Sequence, residues 1–444
     1  MTPEIGLTPL AQAEDDAVTL LRDMIRIDST NTGHADDTVG EAGVAEYVEA
    51  ALQEVGYEPE RFETTAANRQ GVYLRIPGAD PERGALLLHG HLDVVAAFAE
   101  DWQVPPFGGE LSDGLIWGRG AVDMKDMDAM LLATLRHWAR TDHVPPREIV
   151  VIFTPDEEAG GYHGAHWIVD NRPDMLHNVT EAVGEVGGFS MTVRDDLRFY
   201  LIQTAEKGIA WLNLRAEGQA GHGSMLNDAN AVTQLAKVVS RVGDHKFPVT
   251  LTPTTSAFLA ELAEALDTEI DPTDTERLLE LLGPLARVVG ATMQNSVNPS
   301  MLSAGYKVNV IPGHAEAFVD GRFLPGHEEE MIAEVDRLLA DDAVREFVHH
   351  DVALETSFDG PTIAAMGRAI QAEDPIGKAV PYMLSGGTDA KAWSRKGIRC
   401  FGFAPLKLPP DLDFGAMFHG VDERVPADAI QFGVRVLNRF LAEV

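Results

Sequence analysis

The chain has 444 residues, 45% of them hydrophobic, a formal charge of −35 and a single cysteine, Cys400. This length suits two or three domains with a large core, and the acidic balance argues against nucleic acid or an anionic membrane as partner. One cysteine excludes an internal disulfide and any cysteine-rich zinc site; with no apolar run of about 18 residues and no basic start in residues 1–16 that would mark a secretory signal, a cytoplasmic protein is expected.

In chain order, residues 15–27 carry apolar side chains at helical spacing, Ser29-Thr-Asn-Thr-Gly interrupts, and residues 41–55 resume the helix. Gly84-Ala-Leu-Leu-Leu-His-Gly-His reads as a buried strand ending in histidine. The helical stripe Met127, Leu131, Leu135 and Trp138 begins directly after Asp123, so that carboxylate falls in a strand-to-helix loop. Arg147-Glu-Ile-Val-Val-Ile-Phe-Thr reads as a second strand, ending just before Glu157-Glu158. Strands alternating with helices through about residue 206 imply parallel pairing. After Glu206-Lys207-Gly208 the texture changes, and residues 209–217 alternate apolar and polar as a half-exposed antiparallel strand does. Residues 315–323 and 350–356 alternate too, the middle of this region, 250–300, is mainly helical, and Gly360-Pro361 closes it. The expected architecture is therefore an α/β catalytic domain over 1–206 and 361–444, with a smaller α+β domain inserted over 207–360.

Open α/β sheets bind their ligands beyond the carboxyl ends of the strands, which is where the metal-ligand residue types of this chain fall. His91 and His419 can supply imidazole nitrogen, and Asp123, Glu158 and Glu185 can supply oxygen. If one carboxylate bridges, that set suffices for two divalent ions a few ångströms apart. Asp93, two residues after His91, can accept the other ring N–H and fix its tautomer. Glu157 points elsewhere than its neighbour Glu158 and can serve as a general base. Taken singly, a His-x-Asp is more often a loop pair, and a Glu-Glu more often a solvated surface.

Their order changes that weighing. HGHLDVV, WGRGAVDMKD, TPDEEAGG, GEVGG and FHGVDERV resemble the successive motifs of the co-catalytic zinc peptidases and amidohydrolases. That family includes aminoacylases, acetylornithine deacetylase, succinyl-diaminopimelate desuccinylase, glutamate carboxypeptidase and the yeast vacuolar carboxypeptidase. The resemblance spans nearly the whole chain. It implies a catalytic domain with a mixed, mostly parallel central sheet, and an inserted ferredoxin-like domain that acts as lid and dimerisation element. It further implies that His91 and Glu185 hold one zinc and Glu158 and His419 the other, with Asp123 bridging. Glu157 would be the base, Asp93 would orient His91, and the Asp123–Met124 peptide would be cis. Position 185 holds Glu where many relatives have Asp, and both occur in the family.

In the insertion, Gly221-His222-Gly223-Ser224 is similar to the family's histidine motif, which in dimeric members reaches the active site across the subunit interface; His222 would stabilise the oxyanion. Asn309 and Arg322 match positions that hold the substrate's carboxylate, a task suited to the planar guanidinium. Gly386 and Gly387 fall in a loop resembling the glycine-rich substrate loop. His89, His163, His166 and Cys400 are expected to be packing or surface residues. The implied activity is hydrolysis of an amide in small peptides or N-acyl amino acids bearing a free carboxylate, with a metal-bridging water as nucleophile. Two zinc ions are the expected cofactor, replaceable by cobalt or manganese, and the expected assembly is a homodimer. The histidine motif and the long lid favour a carboxypeptidase or dipeptidase; an N-acyl-amino-acid deacylase is the alternative. A non-catalytic binding module on the same fold is disfavoured, because neither a ligand nor the base is missing.

Overall fold

The structure, a computed structural model, describes residues 10–34, 38–282 and 289–444. The chain divides into two compact units: Met1–Thr204 with Thr356–Tyr382 and Thr388–Val444, and Ala205–Glu355 with Met383–Gly387.

The first unit is built on a mixed sheet whose centre is parallel. Strand Ala85–His91 pairs in parallel with Ile149–Thr154 on one side and Val179–Gly184 on the other, and Arg399–Gly402 runs parallel to Val179–Gly184. Gln70–Ile76 and Glu60–Glu63 extend the sheet antiparallel beyond Ile149–Thr154. Ala85–His91 and Ile149–Thr154 are buried at every position, which explains why they read as continuous apolar runs rather than alternating ones. The registers His91↔Thr154 and Gly184↔Gly402 align the carboxyl ends within each pair, and Leu88↔Val183 sets the two pairs only two residues out of step. Helices Ala11–Arg26, Lys125–Arg140 and Ala427–Leu441 pack on one another, and Trp138 Nε1 donates to Asn438 Oδ1 at 3.0 Å. The Lys125–Arg140 stripe is buried as its spacing requires, with Met127, Leu131 and Leu135 fully enclosed.

In the second unit, Gly208–Glu217, Ser296–Ala304, His314–Phe323 and Val344–Asp351 form an antiparallel sheet. Their spatial order is Ser296–Ala304, His314–Phe323, Gly208–Glu217, Val344–Asp351. Helix Ala231–Asp244 follows the first strand and Glu328–Leu339 the third. This is the ferredoxin-like β-α-β-β-α-β arrangement. Its core joins Leu212 and Leu214 from one strand to Leu235, Val238, Met331 and Val335 from the helices. Helices Pro253–Leu266 and Thr275–Leu282 lie in the region expected to be helical. Among the described residues, no helix is long and apolar enough to cross a membrane.

Candidate active site

Three parallel strands deliver residues at or just beyond their carboxyl ends to one place. His91 ends its strand, Glu185 follows Val179–Gly184 directly, and Glu157 and Glu158 open a short turn beyond Ile149–Thr154. Asp123 sits ahead of helix Lys125–Arg140, and its peptide with Met124 is cis. His419 comes from a loop before the last helix and adopts a left-handed backbone, φ +57°.

The side chains meet closely. His91 Nε2 lies 3.2 Å from Asp123 Oδ1, 3.5 Å from Glu185 Oε2 and 4.0 Å from Glu157 Oε2. His419 Nε2 lies 2.9 Å from Glu158 Oε2 and 3.3 Å from Asp123 Oδ2. Asp123 thus turns one oxygen to each histidine. Ligand-type atoms of His91, Glu157 and Glu185, and of His91, Asp123 and Glu158, fall within 4.8 Å of one another.

Asp93 differs in detail from the sequence expectation. His91 Nδ1 is nearest the main-chain oxygen of Asp93, at 3.0 Å, and its carboxylate stands off at 3.5 Å. That carboxylate is engaged elsewhere: it accepts from the backbone N–H groups of Glu157 (3.1 Å) and Glu158 (3.0 Å) and from Asn31 Nδ2 (2.8 Å). Asp93 therefore meets His91 through its main-chain oxygen and, at longer range, its carboxylate, which also bonds the Glu157–Glu158 turn.

Burial pushes the Glu158 and Glu185 carboxyls up to about 7, and burial together with the charge of Glu185 raises Glu157 well above the usual range. Asp123 moves the other way: burial opposes it, but hydrogen bonds from the His419 and His91 rings hold it low. His419, bonded to Asp123 and Glu158, rises to about 10. Glu158 Oε1 is buried with no hydrogen-bond partner among the described residues. Crowded buried acids, an orphaned carboxylate oxygen and two imidazoles directed at them form a donor set that fits divalent cations.

Sequence reasoning missed several supporting residues. Asp389 is buried, burial raises it to about 7, and it accepts from Thr154 Oγ1 at 2.5 Å. Arg69 donates to Asn31 Oδ1 at 2.6 Å, pairs with Asp156 at 3.2 Å and contacts Glu41. Asn31, in turn, reaches Asp93. The residues set aside earlier lie as expected: His89 and Cys400 are buried, His163 is exposed, and His166 meets Arg395 at 3.0 Å.

The remaining candidates belong to the second unit. His222, exposed, pairs with Val310 in a two-stranded ladder, and Gly223 N donates to Asn309 O at 2.9 Å, so His222 and Asn309 sit side by side. Arg322 bonds Asp320 Oδ1 through Nε at 2.7 Å and lies over the Trp211 ring. Gly386 and Gly387 are half-buried without positive φ, and a Cβ on Gly386 would meet only ordinary contacts with Leu384.

Relatives agree with this architecture. A family model described as Peptidase family M20/M25/M40 matches residues 87–443. Aminoacylase-1 of Sus scrofa is 27% identical over 97% of this chain and 96% of its own length. The N-fatty-acyl-amino acid synthase/hydrolase PM20D1 of Xenopus tropicalis is 26% identical over 97% of this chain and 86% of its own. In fold, the chain resembles the M20 family metallo-carboxypeptidase Sso-CP2 of Sulfolobus solfataricus, with a TM-score of 0.74 at 17% identity, covering 97% of this chain and 99% of that one. The chain belongs to peptidase family M20/M25/M40 and is an amide-bond hydrolase.

Proposed function

We propose that this hydrolase cleaves the amide bond of small peptides and N-acyl amino acids that carry a free carboxylate, with two divalent ions held by His91, Asp123, Glu158, Glu185 and His419. The observation that carries the proposal is the division of Asp123 between His91 (Oδ1, 3.2 Å) and His419 (Oδ2, 3.3 Å). Zinc suits this nitrogen and oxygen set, and cobalt or manganese can replace it. When bound, such ions polarise a scissile carbonyl and lower the pKa of the attacking water.

The chain's own residues supply the rest. Glu157 takes the water's proton and returns it to the leaving amine; its raised proton affinity suits both transfers. Asp93 holds the turn that aims Glu157. In the His222 ring, Nδ1 accepts from the Ser224 backbone N–H at 3.2 Å. That leaves the proton of the neutral ring on Nε2, where it can donate to the oxyanion. Arg322 and Asn309 select the free carboxylate, for which Arg322 exchanges Asp320, and Gly386 and Gly387 form part of the substrate loop. The 207–360 insertion serves as lid and homodimer interface; its edge strand Ser296–Ala304 exposes Met301 and Leu302 by more than 60%. The buried Cys400, the one cysteine of the chain, suits a cytoplasmic setting.

The relatives in sequence are named for N-acyl amino acids and the fold neighbour for peptides, so the deacylase reading stands beside the carboxypeptidase or dipeptidase one. Zinc-loaded protein should release amine from one class of a panel of dipeptides and N-acyl amino acids. Glu157→Gln should keep both ions and lose turnover on the order of 10²–10⁴-fold. Near-native turnover in that variant would refute the assignment.

A further inference from the structure

Glu423 stands four residues beyond His419 and is wholly buried. Its carboxylate accepts four donors. Oε1 takes the backbone N–H of Val122 at 2.7 Å and of Asp123 at 3.2 Å; Oε2 takes the N–H of Gly120 at 3.1 Å and Arg119 Nη1 at 2.7 Å. The other arm of Arg119, Nη2, donates to Gly420 O at 2.9 Å. The main-chain oxygen of Glu423 accepts from Gly118 N at 3.0 Å.

These bonds continue, into the flanking loops, the antiparallel pairing of Leu115–Trp117 with Arg424–Pro426. Residues 119–124 form consecutive turns rather than a strand or helix; Ala121 N–H finds Gly118 O within the turns, while the N–H groups of Gly120, Val122 and Asp123 take the Glu423 carboxylate. A carboxylate is the one side chain that can accept several such donors at once, and charge-assisted bonds of this kind are short and directional. The turn is tightly packed at Gly120, which has φ +85°, and a Cβ there would sit 2.9 Å from Val94 and 3.0 Å from Lys125.

Their placement matters more than their number. One bond lands on the backbone of Asp123 itself, and the arginine arm lands on Gly420, next to His419. Fixing the Asp123 backbone fixes the direction of its side chain, and thereby which oxygen meets which histidine. Fixing Gly420 sets how far His419 stands from Asp123.

On the two-metal reading given above, we infer that Glu423, with Arg119, is a positioning pair that sets the separation of Asp123 and His419 and so tunes the affinity of the ion those two residues share. An ordinary buried ion pair would stabilise the fold alone; this one acts on the metal.

Glu423→Gln tests the inference. It keeps the size of the side chain but replaces one accepting oxygen with an amide nitrogen that cannot take an N–H. Zinc affinity and stoichiometry are measured by competition with a chromogenic chelator, and the cobalt(II) visible spectrum reports ligand geometry. Folding is checked by far-ultraviolet circular dichroism and by melting of the metal-free protein. One of the two ions should lose on the order of 10–100-fold in affinity, with a changed cobalt spectrum. Arg119→Lys keeps the charge but cannot bridge Glu423 and Gly420, so it should show a smaller loss in the same direction. This second variant carries the test if Glu423→Gln fails to fold. A folded variant that binds two ions with native affinity and an unchanged cobalt spectrum overturns the positioning role, even if its melting temperature falls. Failure of the unaltered protein to bind two ions would instead overturn the two-metal reading.

Discussion

His89 should make the metal-free protein acid-labile in a way that a single substitution removes. Its ring is 2% exposed, stands edge-on to Trp393 at 5.8 Å, and has a buried Nε2 with no hydrogen-bond partner among the described residues. Gly184 leaves the space for it: a Cβ there would lie 2.3 Å from the ring. Burial, reinforced by His91, pushes the His89 pKa down to about 3. In the unfolded chain a histidine titrates near 6.5. Between these values the unfolded state binds a proton that the folded state refuses. Stability is therefore intact above about pH 6.5 and falls as pH drops towards 3, by about 1.4 kcal/mol per unit, or roughly 2.7 kcal/mol at pH 4.5. His89→Leu removes the titration and keeps an apolar neighbour for Trp393, at a pH-independent cost of about 1–2 kcal/mol for imperfect packing. Urea unfolding of both metal-free proteins, followed by tryptophan fluorescence at pH 7.5 and 4.5, measures the difference. The variant should be the less stable at pH 7.5 and the equal or better at pH 4.5. Parallel losses in the two proteins would refute a neutral buried ring.

Arg69 should matter for stability before it matters for chemistry. Arg69→Ala leaves Glu41 and Asp156 buried without their cation, and breaking a buried pair costs about 3–5 kcal/mol; a fall in melting temperature, partly restored by Arg69→Lys, checks it. Removing metal with a chelator should abolish amide hydrolysis while leaving the far-ultraviolet circular dichroism unchanged, since the sheet does not depend on the cluster. Adding zinc or cobalt should restore turnover.

What could be read from sequence follows from how local each feature is. Residues 85–91 and 149–154 are strands because both faces are buried, and that same burial makes them unbroken apolar runs. His91 and the Glu157–Glu158 pair are legible because they stand at or just beyond the ends of such runs. The second unit shows itself through the alternation of residues 209–217, which the burial of Gly208–Glu217 repeats. Spacing places Asp93 beside His91, but two-residue proximity cannot reveal that the Glu157 and Glu158 amides also bond its carboxylate. Asn31, Arg69, Asp389 and Glu423 are silent for a related reason. Each is a common polar residue whose meaning lies in a partner dozens to hundreds of positions away, and no local period encodes that partner.

The cluster's protons offer the most direct check that its acids are buried as described. In metal-free protein, Glu158 and Glu185 titrate near 7, raised by burial, whereas the His419 ring keeps its proton up to about 10 because Asp123 and Glu158 bond it. Metal ligands must bind deprotonated, so loading the site expels whatever protons these groups hold. At pH 6 both glutamates are mostly protonated and should each give up close to one proton on zinc binding. At pH 8.5 they are already ionised and contribute almost none, while the His419 proton is still displaced. Proton release should thus fall by about two between those values and stay above zero. Calorimetry of zinc binding in buffers of different ionisation enthalpy counts the protons. Release that does not change between pH 6 and 8.5 would mean that the glutamates are already charged in the metal-free protein. Burial would then not be setting their affinity, and the cluster would be far more open to water than its geometry implies.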